Sequence, residues 1–362
     1  MTESPAAVQP VPEAAETPVF PVINQAILVV VLAIVALLGI TAIRTLALRV
    51  TQYQVSVYEG YVRDALAKQE YDRAVEISTG ALRSSVNRSD HWGRAWLLRG
   101  VAQMKLEDTA AALADLESSG VFFQERYYYA IERDRPELAA AATELARLFL
   151  AQQKGPEALR AFSVAAAGSG QAVEYLTRLH ESMNEADRAL LWPDGTPYIV
   201  LRGFQGNPEG KLEVVVEQQG RAPVSSGVAP DGSAASIELS QGTSPGRSAY
   251  ACKAWMPLSD KPFALRLVAR AEGGPMPEAL LGFWFDSARQ SAHTTDAAWV
   301  AQPDGSQACT IPNTFIAKLT EQGKAQGFSA HDGILNRAGF EFLPESASKV
   351  SLERVELLLP ES

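Results

Sequence analysis

Residues 95–119 read AWLLRGVAQMKLEDTAAALADLESS, and this stretch decides how the first half of the chain folds. Two apolar-periodic runs are joined by the short polar turn Leu106-Glu107-Asp108, and neither run contains a proline. Trp96 and Gly100 lie four residues apart on the first run, and Ala112 and Leu116 lie four apart on the second, so each pair shares a helix face. Paired helices approach closely only where a small side chain faces a large one. Gly and Ala at these spacings are therefore a packing requirement, and the stretch reads as a helix, a turn and a second helix packed on the first.

The same pattern occurs on both sides of it. Residues 60–82 (GYVRDALAKQEYDRAVEISTGAL) turn at KQE and carry Ala74 and Ala81 on the second helix. Residues 142–166 (ATELARLFLAQQKGPEALRAFSVAA) turn at QQKG and carry Ala158, Phe162 and Ala165. The three units resemble the tetratricopeptide repeat. Their spacing, 38 residues from Ala74 to Ala112 and 46 from Ala112 to Ala158, exceeds the roughly 34 of that family. The excess falls in SSVNRSDHWGR (84–94) and GVFFQERYYYAIERDRPEL (120–138). The resemblance implies a helical-repeat domain over 58–191, closed by a capping helix at 171–191, with an extended surface for a protein partner. Tyr127, Tyr128 and Tyr129, with Phe122 and Phe123, either anchor that partner or fill the widened gap between the second and third units.

Upstream, residues 23–43 (INQAILVVVLAIVALLGITAI) carry no charge and no polar face. About 20 such residues cross the roughly 30 Å hydrocarbon core, and only a helix satisfies its own backbone there. The segment reads as one transmembrane helix, 23–45, because no Lys or Arg precedes Arg44 as a cleaved signal would require. Residues 1–22, rich in proline, read as a disordered tail, and 46–57 as a helical stalk. Arg44 and Arg49 alone would hold the C-terminal part in the cytoplasm. The domain content favours the opposite side, and the expected location is a bacterial inner membrane with the domains facing outward.

Downstream, Trp192-Pro193-Asp194-Gly195 ends the helices, and 192–196 reads as a linker. From 197 to 362 come about nine short runs such as PYIVLRGF, KLEVVVEQQ, FALRLVARAE, EALLGFWFD and SLERVELLLP, separated by turns that include Asp304-Gly305. They predict an all-β antiparallel sandwich with one helical turn near 317–327. The order of AYACKAWMPLSDKPFALRLVARAE, LLGFWFD and VSLERVELLLP resembles jelly-roll carbohydrate-binding modules and galactose-binding-like domains, in which the last strand returns near the first. That resemblance implies a sugar platform, for which the loop residues Trp299, Asp304 and Asn313 are the candidates. Trp255 and Trp284 alternate with residues that read as core. Cys252 and Cys309 are the only cysteines, and form one disulfide or stay two buried thiols.

Net charge is −10 with no basic block, which argues against a nucleic-acid partner. The histidines His91, His180, His293 and His331 are scattered, His293 in what reads as a Ser/Thr loop, and no metal motif, phosphate loop, GxSxG or GxGxxG occurs. The chain is therefore expected to need no cofactor and to be no enzyme. It reads as a membrane-tethered scaffold, with recognition of envelope or exported polysaccharide by the sandwich as the alternative.

Overall fold

The structure is a computed structural model that describes residues 19–84, 91–125, 134–169, 171–201, 215–216, 224–228, 235–239, 247–252, 261–285, 289–295, 297–312, 335–342 and 349–359. It divides into two compact units, Met1–Gln54 and Val55–Ser362. The first holds the leading part of helix α1 (Val19–Ala67). All of its side chains over 29–43 are exposed, and the consecutive Val29, Val30, Val31 and Leu32, about 100° apart, point around the whole helix circumference. Among the described residues no helix is long and apolar enough to cross a membrane, in contrast to the span expected at 23–45. The described side chains cover only 29–43 of that run, short of the roughly 20 residues a crossing requires.

The second unit begins with helices. After α1 come α2 (Tyr71–Ser84), α3 (His91–Lys105), α4 (Thr109–Glu125), α5 (Asp134–Ala151), α6 (Gly155–Ser169), α7 (Ala172–Ser182) and α8 (Glu185–Leu191). The pairs α1/α2, α3/α4 and α5/α6 are three hairpins closed by one and the same turn. Gln69, Glu107 and Gln153 each adopt a left-handed backbone, with φ of 62°, 64° and 59°. The next amide reaches back to the helix in every case: Glu70 to Ala65 O at 2.8 Å, Asp108 to Gln103 O at 3.0 Å, Lys154 to Phe149 O at 2.9 Å. This is the Schellman arrangement, which satisfies carbonyls left open at a helix C-terminus.

Three buried positions spaced four and then three residues apart follow each turn. They are Ala74, Ser78 and Ala81; Ala112, Leu116 and Ser119; Ala158, Phe162 and Ala165. Gly100 suits this packing, because a Cβ there would sit a tight 3.0 Å from Leu116 Cδ2 and 3.3 Å from the Ala112 carbonyl. The extra length between units is partly absorbed by longer helices, since α4 runs to Glu125 and α5 starts at Asp134. The single capping helix expected at 171–191 is two helices. Asn184 breaks it by accepting the Asp187 amide at 2.8 Å, as an N-cap does.

The remaining elements are β1 (Tyr198–Leu201), β2 (Val215–Val216), β3 (Val224–Val228), β4 (Ala235–Leu239), β5 (Arg247–Cys252), β6 (Ala264–Glu272), β7 (Glu278–Phe285), β8 (Arg289–Thr295), β9 (Trp299–Ala301), β10 (Gln307–Ile311), β11 (Leu335–Phe342) and β12 (Lys349–Leu358). Two antiparallel sheets result. One orders β3-β4-β12-β6-β10-β9 with β1 also on β12, and the other orders β2-β5-β11-β7-β8. The last strand does pair with the first, from Tyr198↔Leu358 to Leu201↔Val355. Leu265, Leu267, Ile311, Val355 and Leu357 of the larger sheet share one core with Ala279 and Phe340 of the smaller, so the sheets form a sandwich.

Three strands were not expected: β3, β10 and β8. The last carries His293, which pairs with Leu281 instead of lying in a loop. The helical turn expected at 317–327 lies outside the described residues. Of the expected linker at 192–196, Pro193, Asp194 and Gly195 are exposed and Trp192 is packed. Trp192 is 2% exposed and donates its indole N–H to Tyr198 O at 2.8 Å, while the amide of Val200 on the edge of β1 donates to Ser163 Oγ of α6 at 3.0 Å. Helical layer and sandwich therefore share one continuous core.

Candidate functional site

The first helices of the hairpins, α1, α3 and α5, carry a chain of ion pairs. Glu59 and Arg63 are one helical turn apart on α1 and meet at 3.0 Å. Arg63 then forks onto Glu137 of α5, with both contacts at 3.0 Å, and Arg94 of α3 reaches the other oxygen of Glu59 at 3.1 Å. Two oxygens facing two N–H groups is the geometry a guanidinium matches best. Burial acts to raise the Glu59 carboxyl, but the Arg63 hydrogen bond and the charges of Arg94 and Arg63 outweigh it and hold the carboxyl below the ordinary glutamate range. Arg63 is held further in its charged form, foremost by Glu137. Lys105 of α3 continues the row to Glu144 of α5 at 2.7 Å.

Beside this row lies a small open recess of about 10 Å³, room for about one water, between α1, α2 and α3, lined by Tyr58, Glu59, Val62, Ser78, Ala81, Arg94, Ala95 and Leu98. Its walls are mostly apolar, and the Glu59–Arg94 pair sits on one of them. On the other side of α3, Arg99 forks onto the buried Asp115 at 2.7 Å on both arms and touches Thr79 at 3.2 Å, tying α2, α3 and α4 together. Burial raises the Asp115 carboxyl despite that arginine.

The residues singled out from sequence are distributed differently. Tyr127, Tyr128 and Tyr129 lie outside the described residues, as does Asn313. Trp299 is half-buried on β9, with its indole N–H donated to Pro277 O at 2.8 Å and its ring 6.2 Å from Phe340. Asp304 shapes the β9–β10 turn, accepting from the amide of Ser306 at 2.9 Å and its hydroxyl at 2.6 Å, while Gly305 takes φ of 81°. Trp299 and Asp304 thus both make contacts within the sandwich, and Asp304 stays exposed. Cys309 is a free thiol, fully buried on β10 and donating to Ala297 O at 3.3 Å, and the side chain of Cys252 lies outside the described ones. Burial pushes that thiol up to about 11. Among the described residues no group of His, Cys, Asp and Glu side chains is placed to hold a metal.

The ion-pair row was missed from sequence. Glu59 and Arg63 carry a legible four-residue signal, but Arg94 and Glu137 sit in the irregular insertions, and only the packed hairpins bring them together.

No family profile matches this sequence, and no curated protein matches it. Among solved structures, one described as a xylan-binding module CBM15 is similar over 42% of this chain and 99% of its own, at 11% identity and a TM-score of 0.24. A score that low does not establish a shared fold.

Proposed function

We propose that the chain is a non-enzymatic, membrane-tethered scaffold whose tetratricopeptide-like hairpins dock a protein partner and whose sandwich is displayed on the outer side of a bacterial inner membrane. The observation that carries this reading is the threefold recurrence of one hairpin, with the same left-handed turn residue and the same buried triad each time. Stacked hairpins cover one another's apolar faces and leave an extended surface whose use is binding. The tether is the full apolar run 23–43. Its described part is exposed and apolar on every side, as suits a helix surrounded by hydrocarbon rather than water.

Two measurements test it. Alkaline carbonate extraction of membranes should leave the full chain in the pellet, and release into the supernatant refutes the tether. A cysteine placed at the exposed Asp72 of α2, in a Cys252→Ser background, should react with an impermeant maleimide in intact cells. Reaction only after permeabilisation refutes outward display.

A further inference from the structure

On the face of the larger sheet turned away from the sandwich core, Arg266 of β6 and Arg354 of β12 are held together by one carboxylate. Glu356, fully buried, is the cross-strand partner of Arg266. Its two oxygens accept from the Nε atoms of Arg266 and Arg354, the latter at 2.6 Å. Each arginine is therefore anchored by its inner nitrogen, and Glu356 takes no hydrogen bond from the two terminal nitrogens of either. Among the described residues those terminal nitrogens donate no hydrogen bond. The carboxylates facing them are Asp194 at 3.8 Å from Arg266 Nη1 and Glu353 at 4.0 Å from Arg354 Nη1, and Glu353 is itself held by Arg270 Nε. Both arginines remain open to solvent, with 18% and 37% of their side chains exposed. The Arg266 guanidinium also lies 5.3 Å over the Tyr198 ring, which further fixes its plane.

We propose that Arg266 and Arg354 form a binding site for a carboxylate ligand, whose two oxygens take terminal guanidinium nitrogens while Glu356 keeps both guanidiniums in place. A single surface arginine loses side-chain freedom when it captures an anion. Here that cost has already been met by the buried carboxylate, so the donors are preorganised for a planar two-oxygen group. Asp194, half exposed, competes for Arg266 and holds affinity down.

The test uses the full chain with polygalacturonate, monomeric galacturonate and neutral dextran, read by calorimetry in low salt. Polygalacturonate should bind and dextran should not. Arg354→Lys keeps the charge and a partner for Glu356 but loses the fork, and should weaken binding by about tenfold or more. Asp194→Asn removes the competitor and should strengthen binding several-fold, an effect that a purely structural cluster would not produce. Galacturonate alone, binding as well per carboxylate as the polymer, marks a small carboxylate as the ligand, and tighter polymer binding marks a polymeric one. Equal behaviour of polygalacturonate and dextran, or binding unmoved by both substitutions with unchanged melting curves, overturns the site.

Discussion

Gly155 opens α6 where α8 crosses it, and a Cβ built there would lie 2.4 Å from the carbonyl oxygen of Leu190 and 3.1 Å from Leu190 Cγ. The nearer atom is backbone, so no rotamer change makes room. Gly155→Ala must push α6 and α8 apart or bend one of them, at an overpacking cost of about 1–3 kcal/mol. Against that stands the gain of alanine over glycine in a helix, about 0.5–1 kcal/mol and less at a first turn. The net is a destabilisation of about 1–2 kcal/mol, and it falls on the seam that carries Trp192 and the start of β1. Gly80 provides the control. It sits mid-helix in α2 with nothing within 4 Å of its notional Cβ, so Gly80→Ala should gain most of the propensity difference. Urea unfolding of the two variants, followed by far-ultraviolet circular dichroism, should move the midpoints in opposite directions. At a slope of about 2 kcal/mol/M, Gly155→Ala should fall by about 0.5–1 M. A Gly155→Ala protein as stable as Gly80→Ala would refute the close α6–α8 approach.

Replacing Gln69, Glu107 or Gln153 by glycine removes the strain of a left-handed non-glycine residue, and each change should raise stability by up to about 1 kcal/mol, additively because the turns are separate; a lower melting temperature for all three would contradict the assigned turn. Glu59 has its carboxyl below the ordinary value of 4.5, so the unfolded chain binds its proton more tightly. The stability it contributes is complete above that value and is lost as pH falls through the lower folded value, so Glu59→Gln should flatten the acid limb of a stability–pH curve and leave its alkaline limb alone. In a Cys252→Ser background Cys309, buried and with its thiol pushed up to about 11, should resist a thiol reagent at pH 8 until the sandwich unfolds; labelling at the rate of a free thiol would show that its site opens in the native state.

The hairpins were legible because their signal is local. A small residue at the crossing, a polar turn and a seven-residue spacing of buried positions all fall within one 25-residue window, and Ala74, Ala112 and Ala158 are buried as the spacing requires. The strands read well where the sequence alternates, as in β6 and β12. They read badly in β3 (VSSGV), β8 (RQSAHTT) and β10 (QACTI), which are short and lack a clear alternation of apolar and polar residues. Cys309 and Ile311 of β10 are fully buried because they face the core that the two sheets share, with Leu267 and Phe340, which is a fact about neighbours.

Composition and periodicity by themselves determined the order of the parts: an apolar helical run, paired helices, then antiparallel strands. Each of those depends on how residues a few positions apart face a common side, and that is fixed by backbone geometry alone. Only the tertiary structure decided that Trp192 and Ser163 fuse the helices to the sandwich, that Arg63 meets Glu137, and that Glu356 draws Arg266 and Arg354 together. These partners are separated by long stretches of chain, and a charged or hydroxyl side chain carries no mark of which distant group will satisfy it once packing has removed water from around it.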